Sequence, residues 1–346
     1  MKTAPHICVT GGAGYIGSHA CYALAKRGDP ILVLDNLSTG NLDAVRWGTL
    51  AQMDLRQTEA LTETFRRHNV RTVLHFAASA YVGESVSNPF KYHDNNVGGM
   101  LSLLAACRDA GVREFVLSSS CATYGIPETL PVAETAPQRP INPYGRTKLI
   151  CEQMLKDIAP EIGMSYAILR YFNVAGADPS GSLCETHDPE THLLPLALFA
   201  ATGRGPALQL FGTDFDTADG TAIRDYVHVS DLVQGHLAAL DRLCQGAGPL
   251  TVNLGTGCGH STLQVLKMVG RVTGQRVPWH PAPRRVGDPP ALIADATQAR
   301  ALLRFMPERS DLFSMVTDAA RAFGLPHNIS SVVSFKRETE YAQIRA

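Results

Sequence analysis

The chain has 346 residues, of which 45% are hydrophobic and 18% are charged, and its formal net charge is −1. These values are ordinary for a globular protein and exclude an intrinsically disordered chain. They also exclude the basic surplus by which proteins bind nucleic acids or anionic membranes through charge. The length predicts two domains, or one large α/β domain with an appended part.

The sequence carries no sign of a membrane segment. Its longest apolar run, at residues 193–201, contains Pro195 and falls far short of the roughly 18 residues of a membrane span. The first residues, MKTAPHICVTGG, lead directly into a strand pattern and leave no room for a signal peptide. The eight cysteines form no CxxC pair, as expected of free thiols. We therefore expect a cytoplasmic protein.

The first half alternates short, β-rich apolar runs with helical patterns. Nearly continuous apolar strands that are separated by helices form parallel sheets covered on both faces. The pattern therefore predicts an α/β fold with a Rossmann doubly wound parallel sheet. The predicted strands lie at residues 6–10, 31–34, 72–76, 114–118 and 165–169, and the predicted helices at 15–27, 59–68, 89–110 and 144–158.

The composition changes after Asn173. Glycine, proline, aspartate and threonine cluster at residues 176–189 and 212–220, and shorter elements follow at 227–240, 251–254 and 261–270. This predicts a smaller C-terminal α/β part that binds the substrate over the carboxyl ends of the strands. The predicted division is a Rossmann domain at residues 1–173, a substrate-binding part at 174–324 from which the chain can recross, and a flexible tail at 325–346.

A glycine-rich turn joins the first predicted strand to the first helix. Gly12, Gly14 and Gly17 form a GxGxxG pattern, which lets a pyrophosphate approach the backbone at a helix N-terminus. Asp35 follows the second strand, where a carboxylate accepts hydrogen bonds from an adenosine ribose. Because no Arg or Lys stands beside Asp35, NAD is favoured over NADP. The alternative is a glycine-rich turn with a capping aspartate and no ligand.

Tyr144 and Lys148 form a YxxxK pair on one face of a predicted helix. A tyrosine that acts as a base needs its pKa of ~10 lowered by about three units, or ~4 kcal/mol. An ammonium about 4 Å away supplies ~4 kcal/mol at an effective dielectric constant of about 20. Ser120, at a carboxyl strand end, would hydrogen-bond the reacting hydroxyl. An isolated YxxxK pair is otherwise typical of a solvated helix face.

The chain resembles the extended short-chain dehydrogenases/reductases, and among them the UDP-glucose 4-epimerases, over about residues 7–324. The segments TGGAGYIGSH, LDNLSTG, HFAA with VGES, YHDNNV, SSSCATYG, NPYGRTK, LRYFNVAGA, DGTAIRDYVHVSDL, NLGTG and RRVGD occur in the family's order. The resemblance implies a firmly held NAD, a UDP-hexose substrate and a homodimer. It implies that Tyr144 takes the sugar 4′-hydroxyl proton while hydride passes from C4 to NAD⁺. The 4-keto sugar then rotates and takes hydride back on its other face.

The resemblance also implies the residues of the site. The catalytic set would be Ser120, Tyr144 and Lys148. The cofactor would contact Gly11, Gly14, Tyr15, Ile16, Gly17, Asp35, Asn36, Asp54, Leu55, Phe76, Ala77, Asn95, Tyr144 and Lys148. The UDP-sugar would contact Ser120, Asn173, His192, Leu193, Phe211, Arg224, Tyr226, Arg285, Asp288 and Leu292. Permanently charged arginines suit a diphosphate, which they can bind in bidentate fashion.

Three positions depart from the family pattern. Ala80 stands where a lysine touches the cofactor, Ala122 where a threonine helps to hold the sugar, and His192 where an asparagine often lies at the uracil end. His187 and His192, five residues apart, have Pro189 between them and no cysteine partner. This favours an ordinary loop pair, and no metal site is predicted.

Leu292 is predicted to limit the substrate. The resemblance places it four residues beyond Asp288, near the C2 substituent of the sugar, where a bulky residue excludes N-acetyl sugars and a small one admits them. Leucine lies between these extremes, and crowding a fixed pocket typically costs about 1–3 kcal/mol. We therefore expect UDP-glucose and UDP-galactose to be preferred over the N-acetyl sugars.

Other functions compete with this hypothesis. A UDP-xylose/UDP-arabinose 4-epimerase is one, because the SCATYG and PINPYG segments also resemble plant enzymes of that kind. A nucleotide-sugar 4,6-dehydratase needs an acidic pair at residues 121–124, where this chain has Cys-Ala-Thr before Tyr124. A UDP-glucuronate 4-epimerase would want extra basic residues near C6. An NAD-sensing regulator on the same fold can dispense with the Tyr/Lys pair, which is intact here.

Overall fold

The computed structural model describes residues 5–285 and 287–327. Most of the predicted tail, residues 328–346, lies outside the described residues, so its flexibility stays a prediction. Within the described ranges, no helix combines the length and the apolar character needed to cross a bilayer.

Thirteen strands are described, and seven of them build one large sheet. The strands are β1 (His6–Thr10), β2 (Ile31–Asp35), β3 (Thr49–Gln52), β4 (Val70–His75), β5 (Glu114–Ser120), β6 (Ser165–Tyr171), β7 (Asn173–Ala175), β8 (Leu208–Phe211), β9 (Ile223–His228), β10 (Leu250–Leu254), β11 (Gly259–Ser261), β12 (Trp279–Ala282) and β13 (Ala291–Leu292). The large sheet has the order β10-β6-β5-β4-β1-β2-β3, and every pair in it is parallel. The predicted doubly wound Rossmann sheet is confirmed.

Helices cover both faces of this sheet. The helices are α1 (Tyr15–Arg27), α2 (Thr58–Arg67), α3 (Val82–Ser87), α4 (Pro89–Tyr92), α5 (Gly99–Ala110), α6 (Pro143–Glu161), α7 (Leu193–Ala201), α8 (Val229–Cys244), α9 (Thr262–Thr273), α10 (Thr297–Leu303) and α11 (Leu312–Ala322). Successive strand residues point to opposite faces. Val9 therefore packs in the core beneath α1 and α8, and Cys8 in the core beneath α2, α5 and α6.

A smaller sheet carries the C-terminal part. Its order is β11-β9-β13, with β7 also paired to β9, and β8 and β12 form a separate pair. Helices α7, α9 and α11 share a third core with these strands. The chain recrosses between the two parts, because β10 pairs with β6 in the large sheet. The predicted domain limits at residues 173 and 324 stay a prediction.

Several predicted elements differ from the described ones, and two of these differences concern the large sheet and the helices that cover it. The helix predicted at residues 89–110 is interrupted by a wider π-helical segment, His93–Gly98, between α4 and α5. Strand β3 has no predicted counterpart, because this edge strand has only four residues and none of them is fully buried. An apolar run is the signal of a buried strand, and β3 does not provide one.

Candidate active site

The glycine turn between β1 and α1 lies where the strand order of the sheet reverses, beside β4. Gly11 has φ +70°, and a Cβ on it would lie 2.6 Å from the backbone nitrogen of Ala77. A Cβ on Gly17 would lie 2.1 Å from the carbonyl oxygen of Gly11. At Gly14, the N-cap of α1, a Cβ would meet only that carbonyl, at 3.3 Å, among the described residues outside the helix. The turn is thus tightly packed at Gly11 and Gly17 and open at Gly14, at the helix N-terminus where a pyrophosphate would bind.

Asp35 ends β2 beside this turn, and its carboxylate is held by the backbone. Oδ2 accepts from the N–H of Ala13 at 3.0 Å, and Oδ1 accepts from the N–H of Leu37 at 2.8 Å. Since each carboxylate oxygen has a further lone pair, Asp35 keeps acceptors for the two hydroxyls of a ribose. The residues of the turn and of this strand end therefore fit a dinucleotide.

The other predicted cofactor residues lie after the carboxyl ends of β2, β3 and β4, in the π-helical segment, or at the start of α1. Asn36 donates to Asp54 Oδ2 at 3.0 Å, and Leu55 packs against Gly99. Phe76 contacts the ring of His236 with centroids 4.8 Å apart. Asn95 lies in the π-helical segment and donates to Asn96 Oδ1 at 3.0 Å. Tyr15 and Ile16 begin α1, and the Tyr15 hydroxyl donates to the carbonyl of Gly176 at 2.6 Å.

Asn96 is a buried residue that the sequence did not single out. Its side-chain amide donates to the carbonyl of Ser79 and to the hydroxyl of Thr147, both at 3.0 Å. Its oxygen accepts from the N–H of Ser79 at 2.8 Å. Asn96 therefore ties the segment after β4 to the first turns of α6, which carries Tyr144 and Lys148. The YHDNNV segment contains it, but nothing local distinguishes it from Asn95.

The three serines at the end of β5 have three different surroundings. The hydroxyl of Ser118 pairs with Nε2 of His236 at 2.8 Å, and that of Ser119 donates to Glu152 Oε1 at 2.5 Å. Ser120 instead lies beside Tyr144, whose pKa its hydroxyl lowers, and accepts from the N–H of Ala122 at 3.1 Å. Because the first two hydroxyls are engaged in the core, Ser120 is the serine that can serve a substrate.

Tyr144 and Lys148 lie on one face of α6, as their spacing predicts. Lys148 Nζ lies 6.0 Å from the centre of the Tyr144 ring and donates to the carbonyl of Ser118 at 2.8 Å. Burial raises the pKa of Tyr144 to about 12, partly opposed by the Ser120 hydroxyl. Burial also lowers the pKa of Lys148. Lys148 by itself therefore does not turn Tyr144 into a base.

The first turn of α6 is held close to the turn that follows β5. Asn142 caps the helix, with its side-chain oxygen accepting from the N–H of Gly145 at 2.8 Å. A Cβ on Gly145 would lie 2.5 Å from the carbonyl oxygen of Ala122. The absence of a side chain at Gly145 lets the helix approach, and this approach sets the contact between Tyr144 and Ser120.

A buried polar network lies behind the end of β5, and the sequence did not predict it. Glu152 and Arg170 form an ion pair at 2.7 Å, with side chains almost fully buried. Arg170 also donates to the hydroxyl of Tyr124 at 3.0 Å, and Tyr124 donates to Asn253 Oδ1 at 2.7 Å. Because a buried charge without its partner is costly, this network fixes the ends of β5, β6 and β10 relative to one another.

Several predicted substrate residues meet on the small sheet. Tyr226 of β9 pairs with Asn173 of β7, and Arg224 of β9 pairs with Leu292 of β13. Leu292 is buried in a cluster that includes Cys121 at the end of β5. The small sheet therefore reaches the strand end that carries Ser120.

The remaining substrate residues are arranged in pairs. Arg224 forms an ion pair with Asp288 and donates to the carbonyl of Pro289 at 2.8 Å. The guanidinium of Arg285 stacks over the ring of Phe211 at 4.1 Å. Leu193 begins α7, and His192 immediately before it forms an ion pair with Glu185. The side chain of His192 is therefore turned toward an acidic partner in its own loop.

Comparison with known proteins identifies the relatives of this chain. Residues 7–255 match the model of the NAD dependent epimerase/dehydratase family. A UDP-glucose 4-epimerase of Rhizobium meliloti (strain 1021) is 49% identical over 303 residues, which are 88% of this chain and 92% of that protein.

Solved structures agree with this similarity. The UDP-glucose 4-epimerase of Brucella ovis in complex with NAD has a TM-score of 0.91 and 51% identity, over 94% of this chain and all of that one. The enzyme of Stenotrophomonas maltophila, with bound NAD and formylated UDP-arabinopyranose, has a TM-score of 0.88 and 40% identity, over 92% of this chain and 98% of that one.

Proposed function

Because the chain belongs to the NAD dependent epimerase/dehydratase family, we propose that it is an isomerase that inverts the configuration at C4 of a UDP-sugar. The reaction interconverts UDP-glucose and UDP-galactose through a 4-keto sugar, with NAD as the cofactor. The observation that carries this proposal is the placement of Ser120 beside Tyr144 at the end of β5, in a chain 49% identical to a UDP-glucose 4-epimerase.

The side chains of the site supply the proton chemistry. Tyr144 removes the proton of the C4 hydroxyl as the carbonyl forms, and later returns a proton to the same oxygen. Ser120, beside Tyr144, orients that oxygen. Lys148, 4% exposed, adds a positive charge on the same face of α6. The glycine turn and Asp35 would hold NAD⁺, which when bound would supply the hydride acceptor and donor for C4.

The small sheet and its neighbouring loops hold the nucleotide. Arg224 and Arg285 provide two permanent charges for the diphosphate. Arg224 is already paired with Asp288, so a diphosphate would share or replace that carboxylate. Phe211, on which Arg285 stacks, provides an apolar surface next to the charge. The nucleotide stays held while the keto sugar turns over, so that either face of C4 can be presented to the same hydride carrier.

A UDP-pentose is the second candidate substrate. A relative 40% identical to this chain was solved with formylated UDP-arabinopyranose, and a pentose differs from a hexose only beyond C4, at the C5 substituent. The site residues that act at C4 would serve either sugar. A dehydratase is not supported, because no acidic residue lies at residues 121–124.

The discriminating experiment is incubation of the purified protein, without added NAD, with UDP-galactose and with UDP-xylose in parallel, followed by chromatographic separation of the products. We expect UDP-glucose to form from UDP-galactose at the higher kcat/KM. A higher kcat/KM for UDP-xylose would assign the pentose. Failure to convert either sugar in a protein that carries NAD would refute the proposal.

We also propose that two copies associate through the surface of α4 and α5. Phe90 is 81% exposed and Leu101 is 55% exposed, and exposed large apolar side chains are what an interaction surface presents. A second copy of the chain would cover this surface. Sedimentation should give a dimer for the wild type and a monomer for Phe90→Glu, whereas Met306→Glu, at another exposed apolar position, should stay dimeric. A wild-type monomer would refute the proposal.

A cytoplasmic location is proposed from the thiols. All eight cysteines are free, and five of them are buried, as is typical of proteins that fold in a reducing compartment.

A further inference from the structure

A compact group of metal-ligand side chains lies in the loop before α7. Glu185, His187, Glu190 and His192 each offer one ligand atom, and these four atoms lie within 4.8 Å of one another. We propose that these residues bind one divalent transition metal ion of the Zn²⁺ class. The sequence favoured an ordinary loop pair here because only the two histidines were weighed. The two glutamates complete a set of four.

The spacing of the ligand atoms suits a tetrahedral ion. Ligands about 2.0–2.1 Å from Zn²⁺ are about 3.3 Å apart along a tetrahedral edge. His187 Nδ1 lies 3.0 Å from Glu185 Oε1 and 3.8 Å from Glu190 Oε1, and His192 Nδ1 lies 3.6 Å from Glu190 Oε1. His192 Nδ1 also contacts Glu185 Oε1. Small shifts of exposed or half-buried side chains would bring all four atoms to an ion between them.

Burial gives a second, independent observation. Glu185 is 4% exposed, and His187 Nδ1 is buried without a hydrogen-bond partner among the described residues, although a carboxylate oxygen lies 3.0 Å away. The two atoms are close but are not aligned as a hydrogen bond. An imidazole nitrogen that makes no hydrogen bond to a described residue and lies within 4 Å of two carboxylate oxygens is placed as a metal ligand would be.

The ligand types identify the class of ion. Two imidazoles favour Zn²⁺ and its neighbours, because Ca²⁺ and Mg²⁺ prefer oxygen ligands alone. Two carboxylates balance the double charge of the ion. Since four protein ligands complete a tetrahedron and leave no open position, the site is structural. Tyr81, whose ring centroid lies 5.8 Å from that of His187, covers one side of the cluster.

The ion would order the entrance to α7. All four ligands come from one eight-residue stretch of chain, and His192 is the N-cap of that helix. Binding therefore fixes the backbone that leads to Leu193, on the side proposed for the nucleotide. This consequence rests on the proposed function, whereas the metal site itself does not. We expect removal of the ion to raise KM for the UDP-sugar and to leave kcat nearly unchanged.

The test uses the untagged full-length protein with its bound NAD, freed of metal by a chelator. Zn²⁺ is titrated against a coloured competing chelator, and Co²⁺ is added separately as a spectroscopic probe. We expect one equivalent of Zn²⁺ per chain, a higher melting temperature with Zn²⁺, and the visible bands of tetrahedral Co²⁺. His187→Asn and Glu190→Gln should each weaken Zn²⁺ binding at least about 100-fold. His280→Asn, an exposed histidine on β12, should bind like the wild type.

Two results would overturn the proposal. One is equal Zn²⁺ affinity in the wild type and in Glu190→Gln. The Glu190→Gln variant keeps the test available if His187→Asn fails to fold. The other is a thiolate charge-transfer band with Co²⁺, which would show that a cysteine, and not this set of four residues alone, binds the ion. Because stoichiometry, melting temperature and spectra do not depend on turnover, they stand even if the protein epimerises no UDP-sugar.

Discussion

Lys148 Nζ lies 6.0 Å from the centre of the Tyr144 ring and gives its hydrogen bond to the carbonyl of Ser118. A charge placed at the ring centre would gain about 3 kcal/mol from this ammonium at an effective dielectric constant of about 20. That is less than a phenol needs to ionise near neutral pH, and burial acts in the opposite direction by raising the pKa of Tyr144 to about 12. A second positive charge beside the phenol is therefore needed, and the nicotinamide ring of bound NAD⁺ has that charge.

Tyr144→Phe should abolish turnover and spare binding. The change removes the hydroxyl that accepts the proton and leaves the ring in its buried place. We expect kcat to fall at least about 1,000-fold, within the range for loss of a general base, and the Kd for UDP-galactose to change only a few-fold. Calorimetry and a coupled assay measure the two effects. Tyr22→Phe, next to Trp47 on the outer side of α1, is the matched control, and wild-type rates in Tyr144→Phe would contradict the mechanism.

Lys148→Met should move the pH profile of activity. In the proposed mechanism the proton acceptor is the ionised form of Tyr144, so activity should rise with pH through the pKa of the phenol. Loss of a nearby cation raises that pKa, and the acid limb of kcat/KM should shift upward by about one to two pH units. Lys267→Met, on the exposed face of α9, should leave the profile in place. An acid limb at the same pH in Lys148→Met would show that the charge does not act on Tyr144.

Asp35→Ala should release the cofactor. The carboxylate holds the glycine turn through Ala13 and the following loop through Leu37, and it offers acceptors for the ribose. Charged hydrogen bonds contribute about 1.5–3 kcal/mol each, so we expect NAD to bind about 10- to 100-fold more weakly. The NAD content after gel filtration measures this effect. Asp43→Ala, an exposed carboxylate nearby, should keep its NAD, and full retention by Asp35→Ala would contradict the assignment.

Leu292→Ser should admit N-acetyl sugars. Leu292 is buried beside Cys121 and Phe172, close to the strand end that carries Ser120, and a shorter side chain there enlarges the pocket. Relief of crowding worth about 1–3 kcal/mol predicts a gain of roughly 5- to 150-fold in kcat/KM for UDP-N-acetylgalactosamine. UDP-galactose should be little affected. Leu302→Ser, at a half-exposed position of α10, is the control, and equal wild-type efficiency on both sugar classes would remove Leu292 as the determinant.

The stability of the protein should fall in acid because several histidines are buried in their neutral form. Burial lowers the pKa of His75 to about 3 and those of His19 and His236 to about 4. A group whose pKa is depressed by folding in this way contributes stability above its unfolded pKa of ~6.5, and this contribution is lost as the pH falls toward the folded value. Between the folded and the unfolded pKa, each such histidine lowers the free energy of unfolding by up to ~1.4 kcal/mol for each unit by which the pH falls.

Urea unfolding between pH 7 and pH 5 measures this slope. His236→Gln should reduce the pH dependence of the free energy of unfolding by about one histidine's share, whatever it does to stability at pH 7. His280→Asn should not change the slope, since His280 is exposed. Identical slopes in the three proteins would contradict the assignment of neutral buried histidines.

The parts of the fold that the sequence predicted are those with local signals. The limits of β1 and α1 follow from an apolar run, a glycine turn and the left-handed Gly28 that ends the helix. The residues of β10 were predicted to form a strand, but its place in the sheet was not predicted. Its partner, β6, lies some 80 residues earlier in the chain. Pairing between distant segments depends on the whole sheet and has no short-range signature.

The same distinction applies to the site. Spacing predicted Ser120, Tyr144 and Lys148, since all three lie in short motifs. The pairing of Glu152 with Arg170 was not predictable, because a charged residue on a helix or strand usually faces water. The position of the Lys148 ammonium relative to Tyr144 was not predictable either. It depends on the hydrogen bond that Lys148 donates to the carbonyl of Ser118.

The seventh strand of the large sheet has a consequence for biosynthesis. β10 covers the backbone edge of β6, but it leaves the ribosome several seconds after β6 at ordinary rates of synthesis. During that interval the nascent chain presents β6 as an open edge, the feature through which incomplete sheets associate with one another. Cells that make this protein quickly should therefore depend on chaperone protection of nascent chains longer than about 170 residues and shorter than about 250.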